Sequence, residues 1–340
     1  MRLVKLNALT TPVERIRAAV QEGDPAADAF LAWAREAGSA RAMKALQTGL
    51  DGEATEAPAQ ALLDSTGPIP DHRANNRGAR FVQRHGLAVM AVFKGVSLPL
   101  SYANPAANKP LARTGRLTED ARRRLDETAR FTYLIAQKDG LRFGAPGHRT
   151  CLQVRLMHAR VRHRLRPDWD IDGLGVPINV WDMAFTQLLF GLVIVDGLRA
   201  LGVKVSSDEA RDVMGLVASF SALLGLPEAW LCPTEATGRT LFRDYRISSP
   251  PPDQDARDLT RALFESSPPP SRAAYHAVAH MGLGPLAAQL GIPPSPLLEP
   301  VRRWAQATDS AGGALPQAMA AVHNALVDRL LRSPPPSAFP

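Results

Sequence analysis

Residues 152–165 read LQVRLMHARVRHRL. His158 shares a face with Cys151, Val154, Val161 and Leu165, at spacings of three, four and seven residues. That period belongs to an α-helix with one apolar face, not to a strand. Arg155 and Arg162 flank the face, about one turn before and one turn after the imidazole. His163 lies roughly 140° round the helix and points elsewhere.

Working outward, the same period recurs and strand-like alternation does not. The stretch TEDARRRLDETARFTYLIAQ (residues 118–137) opens with a hydroxyl cap and two acids, a good helix start at Thr118. It puts Arg124, Glu127, Thr128, Phe131 and Ile135 on one face. A helix is expected after Pro177, running to Gly202, and another capped by Ser206 or Ser207 and running to about Gly225. Further helices are expected over 75–96 (ending near Pro99), 254–265, 271–290, 295–307 and 314–332, with a helix pair over 12–48 and a loop over 49–72. The fold class is therefore all-α, a single large helical domain of about ten helices. Residues 1–70 read as an N-terminal extension, 71–332 as the main domain and 333–340 as a Pro-rich tail.

Composition agrees. The chain has 340 residues, 45% hydrophobic and 21% charged, enough for a sizeable core. Its 29 prolines gather between the helical stretches. Two cysteines, Cys151 and Cys232, make no disulfide framework and no four-thiolate site. The apolar run Ile178–Val195 is interrupted by Asn179, Asp182, Thr186 and Gln187. It reads as a core helix, so no stable membrane span is expected. The first residues carry no long apolar run, and a cytoplasmic, reducing location is expected.

The net charge is +7, and its distribution is uneven. Residues 140–167 contain no acid but seven arginines: Arg142, Arg149, Arg155, Arg160, Arg162, Arg164 and Arg166. Such a segment invites an anion. No aromatic residues interleave as a base-stacking surface would require, so a nucleic-acid partner is not expected. Carboxylates of a bound cofactor suit a buried helix better. An imidazole on an apolar face between cations is what a haem site needs, with His158 on iron and an arginine on a propionate. A core histidine bonded to a backbone carbonyl is the alternative reading of the same pattern. His276 and His280 have metal-compatible i, i+4 spacing but no companion acid of the zinc-protease kind.

Taken together, Thr114–Leu117 (TGRL), Arg124-x-x-Glu127-Thr128, Arg155-x-x-His158-x-x-x-Arg162-His163, PINVWDMAFTQLLFG (177–191) and the run from Leu201 to Pro233 resemble the latex clearing proteins and the wider MpaB-like oxygenases. The likeness spans roughly residues 75–235. It implies one b-type haem with His158 as iron ligand, O₂ as co-substrate and a hydrophobic small molecule as substrate. It implies Arg124, Thr128 and Thr186 as pocket residues and Arg155 and Arg162 as neighbours of the cofactor, and Glu127 is read beside Arg124 and Thr128 on the catalytic side. Latex clearing proteins can carry a lysine before the threonine matching Thr128, able to ligate iron in a closed state. Here Glu127 stands there, a poorer ligand of that kind but a possible acid or base. Other readings stay open: a haem enzyme that rearranges or dehydrogenates without incorporating oxygen, a haem-binding sensor, or a cofactor-free interaction protein.

Overall fold

The computed structural model describes residues 11–66, 72–114 and 116–310, without the side chains of 111–124, 270, 304–306 and 308–310. Among the described residues every regular element is helical. The expected helix 314–332 and the Pro-rich tail lie outside them.

The N-terminal part contains α1 (Pro12–Val20), α2 (Pro25–Ala37), α3 (Ser39–Leu50) and α4 (Ala57–Asp64). α4 falls inside the expected loop. Its proline sits in the first turn, where a missing N–H costs nothing, so Pro58 starts a helix rather than breaking one. Then come α5 (His72–Arg84) and α6 (Gly86–Val92). α6 continues through a π-turn, Phe93–Ser97, into α7 (Leu98–Tyr102), so Pro99 does not end the helical run where expected. α8 (Pro105–Thr114) and α15 (Glu235–Ser248) are helices the sequence reading did not anticipate. α15 nevertheless carries a legible cap, with the Thr234 hydroxyl accepting from the Thr237 N–H.

α9 (Arg116–Ile135) and α10 (Pro146–Leu165) form an antiparallel hairpin. The hairpin closes tightly: His148 N–H donates to the Gly140 carbonyl at 2.9 Å. A Cβ on Gly147 would stand only 2.7 Å from the Leu134 carbonyl. The short α11 (Ile171–Leu174) leads to α12 (Val180–Phe190) and α13 (Leu192–Ala200). These two were expected as one helix. They part at Gly191, whose backbone leaves the helical region at φ −109, ψ −91. The Met214 sulfur packs 2.8 Å from where a Cβ would stand there. As one apolar stretch, Val180–Ala200 is long enough to cross a membrane, but 72% of its most apolar window is buried in the protein.

α14 (Ser207–Leu223) begins at a capping box of Ser206 and Glu209. α16 (Gln254–Glu265) has the expected bounds. The expected 271–290 helix is two, α17 (Pro269–Leu283) and α18 (Pro285–Gln289), separated by Gly284 at φ +55. α19 (Leu298–Ser310) is the last described element.

The main core joins α5, α6, α9 and α12–α14 around Leu188, Leu198, Met214 and Leu223. A second cluster packs α2, α3 and α4 against Leu152, Leu156 and Ala159 of α10. α10 is thus held on two sides, through Cys151 and Val154 toward the main core and through Leu152, Leu156 and Ala159 toward the second, and His158 lies on the Cys151–Val154 side.

Candidate functional site

His158 is half-buried, on the α10 face with fully buried Cys151 and half-buried Val154, Val161 and Leu165. Its neighbours follow from where the helices cross. Leu134 lies beside Gly147 in the hairpin. Eleven residues on from Gly147 is His158, and eleven back from Leu134 is position 123, so by helical rise the α9 backbone comes level with His158 near 123–124. At the other side, Arg162 Nη1 donates to the Ile178 carbonyl at 3.3 Å. Four residues back from Arg162 is His158, and four on from Ile178 is Asp182. One turn further, Val154, Glu127 or Thr128, and Thr186 share a level by the same count. At the next, Phe131 and Phe190 meet with ring centroids 6.1 Å apart, a contact between α9 and α12.

The half-buried residues of α12 are Asp182, Met183, Thr186 and Phe190, one helical face. The α9 residues Glu127 and Thr128 are also half-buried. By this residue count His158, Glu127, Thr128 and Thr186 fall at neighbouring levels of α10, α9 and α12, a stretch we call the seam. Arg124 belongs to that seam by backbone position, and its side chain lies outside the described residues. The Thr186 hydroxyl donates to the Asp182 carbonyl at 2.8 Å, and the Thr132 hydroxyl to the Thr128 carbonyl at 2.9 Å.

Beyond the seam lies a narrow apolar crevice with about 20 Å³ of free space. Its walls include Met90, Thr132, Ile135, Phe190, Ile194 and Phe220. Thr132 and Phe190 stand one turn past Thr128 and Thr186. Phe190 also packs against Phe93, Phe131 and Phe220 at centroid distances of 4.8, 6.1 and 5.5 Å. The cleft thus continues the seam with apolar walls.

Arg155 and Arg162 stand on the flank of α10 between the His158 face and the α2 packing stripe. Both guanidinium groups engage α2 and its cap. Arg155 Nε and Nη2 donate to Asp24 at 2.6 and 2.9 Å, with Arg155 only 2% exposed. Arg155 Nη1 is buried with no acceptor. Arg162 Nε and Nη2 donate to Asp28 at 3.1 and 3.0 Å. Arg149 pairs with Asp51 at 2.7 Å and Arg142 with Asp139 at 3.1 Å. Much of the anionic charge facing the basic segment is thus supplied by the chain's own aspartates.

Asp182 is the residue that sequence reasoning passed over. It was visible only as a polar interruption in an apolar run. Burial pushes its carboxyl up to about 7, against a backbone hydrogen bond at Asn179 that pulls the other way. Cys151 is fully buried, and burial raises its thiol, so it stays protonated and inert. His163 is exposed. His276 packs edge-on to Phe264 at 4.9 Å, and His280 Nε2 lies 3.0 Å from the Pro293 carbonyl. Among the described residues no three His, Cys, Asp or Glu side chains converge as a metal site.

Comparison with known proteins places this geometry. A solved structure of latex clearing protein in the closed state superposes with a TM-score of 0.72, covering 95% of this chain and 91% of that one, at 19% identity. That likeness concerns the fold. A rubber oxygenase of Streptomyces sp. (strain K30) is 25% identical over 225 residues, covering 64% of this chain and 52% of its own length. The chain thus spans about half the length of that relative. Residues 82–311 match the family model described as "ER-bound oxygenase mpaB/B'/Rubber oxygenase, catalytic domain". That match includes α9, α10 and α12 with every residue of the seam, and the chain belongs to this MpaB/rubber-oxygenase catalytic-domain family.

Proposed function

We propose that the protein is a b-type haem-dependent oxygenase that acts on a hydrophobic small molecule with O₂ as co-substrate, and that His158 is the protein ligand of the iron. One observation carries this reading. His158 stands half-buried on α10 inside the matched catalytic domain, on the face of Cys151 and Val154 and flanked by Arg155 and Arg162.

The residues fit the group. An imidazole on a helix face suits iron that arrives already held in a macrocycle. Val154 and Val161 offer apolar contact beside the imidazole. The free Nη1 edge of Arg155 is a buried donor that a haem carboxylate would satisfy. When bound, ferrous haem supplies the activation of O₂.

The chain's own residues do the rest. The apolar cleft binds the substrate and keeps water from it. Thr128 and Thr186 orient polar atoms at the seam. Glu127 takes a proton from the substrate, with Arg124 as its cationic neighbour along α9. Asp182, poised near neutrality, is a second group that can hold a proton there.

Glu127 also favours a second reading. A carboxylate in the lysine's place makes proton abstraction available without oxygen insertion, so the enzyme would dehydrogenate or rearrange its substrate. Turnover under ¹⁸O₂ separates the two. Label in the product supports the oxygenase, and unlabelled product with O₂ consumed only as electron acceptor overturns it.

A further inference from the structure

We propose that residues 20–28, which precede the matched catalytic domain, form a clasp that sets the position of His158, with Asp24 and Asp28 as its positioning residues. This inference rests on the haem reading above. The clasp is the turn between α1 and α2, and it grips both helices of the candidate site at once. On one side the Val20 and Glu22 carbonyls accept from Val176 and Val180 N–H, each at 2.8 Å, at the start of α12. On the other, Asp24 and Asp28 take Arg155 and Arg162, the arginines one turn before and one turn after His158.

The fit leaves little slack. Gly225, at φ +90, brings its backbone against the Arg155–Asp24 pair. A Cβ there would overlap Asp24 Oδ2 and stand 2.7 Å from Arg155 Nε. A Cβ on Gly23 would stand 3.2 Å from Arg162 Cδ. Gly175, at φ +72, admits the Val20 carbonyl where any side chain would collide. Arg155 is 2% exposed and Asp24 8%, so water cannot replace a lost Asp24, whereas the Arg162–Asp28 pair meets solvent on its Asp28 side. A stretch of nine residues therefore fixes α10 against α12. It does so at the level where one carries His158 and the other Asp182.

The test compares Asp24→Asn and Asp28→Asn with Asp212→Asn, which breaks the exposed Arg77–Asp212 pair away from the site. Two readouts are used on the full chain. In haem-loaded protein, the ferrous iron–histidine stretching band and haem dissociation are measured. The clasp variants should shift the band and speed haem loss about tenfold or more. Asp212→Asn should do neither. In haem-free protein, amide exchange over residues 154–162 should accelerate in the clasp variants relative to α14 amides. Asp24→Glu should restore part of both effects if charge at that place is what matters. A fall in unfolding midpoint with an unmoved band and uniform exchange would make the clasp a general stabiliser and overturn the inference. If wild-type protein takes up no haem, the haem reading fails, and the exchange experiment alone decides whether the clasp positions α10.

Discussion

Arg155 and Asp24 form a bidentate, buried ion pair, Nε and Nη2 donating at 2.6 and 2.9 Å, across 131 residues of sequence. The pair is attached to the helix that carries His158, and it couples the N-terminal helices to the catalytic domain. Removing one partner leaves the other charge buried and unpaired. Asp24→Asn or Arg155→Met should each cost about 3–5 kcal/mol in urea unfolding. The double variant should cost markedly less than the sum, because it strands no charge. Additive losses would show that the two residues act separately.

Gly225 is at φ +90 with the ion pair where its side chain would be. Gly225→Ala combines a strained backbone with a steric collision. It should destabilise by about 2–4 kcal/mol, more than a glycine-to-alanine change at a merely left-handed position. Gly38, at φ +89 with nothing near its Cβ position, is the control. Equal losses at both sites would mean that the pair can yield.

Asp182 gives a pH-dependent outcome. Its folded-state pKa, about 7, lies above the ordinary 3.8, so ionising it works against the fold. Asp182→Asn mimics the neutral acid. The variant should match wild type near pH 4, gain relative stability as pH rises toward 7, and keep a constant advantage above that. The plateau should be on the order of a few kcal/mol. A flat difference across pH 4–8 would show that the carboxyl is not desolvated.

The cleft beyond the seam is tested by filling it. Met90→Trp places a large ring in its wall. Apolar ligand affinity should fall about tenfold or more while the haem spectrum is unchanged, since Met90 lies beyond the seam. Unaltered affinity would place the substrate elsewhere.

The seam was partly legible in sequence because it lies on helix faces. His158 and Val154, Glu127 and Thr128, and Thr186 sit at helical spacings that the period alone reveals. Ser206 and Glu209 announced the start of α14, and Gln254–Glu265 was read to its bounds. Other features depend on tertiary partners. The break at Gly191 follows from Met214 packing against it, 23 residues on. α4 was hidden because Pro58 reads as a breaker until its place in a first turn is known. Arg155 and Arg162 flank His158 by helical spacing, but nothing local disclosed that Asp24 and Asp28 occupy them. Asp182 stood in plain view, and only the packing of α12 shows how deeply its carboxyl lies.

The account turns on His158 as an iron ligand, and the absorption spectrum tests that most directly. Purified protein supplied with haem should show a Soret band and, when ferrous, a CO-difference spectrum. His158→Ala should abolish the band or shift it strongly while helicity is retained. Wild-type protein with no Soret band, or a His158→Ala spectrum identical to wild type, would contradict the assignment.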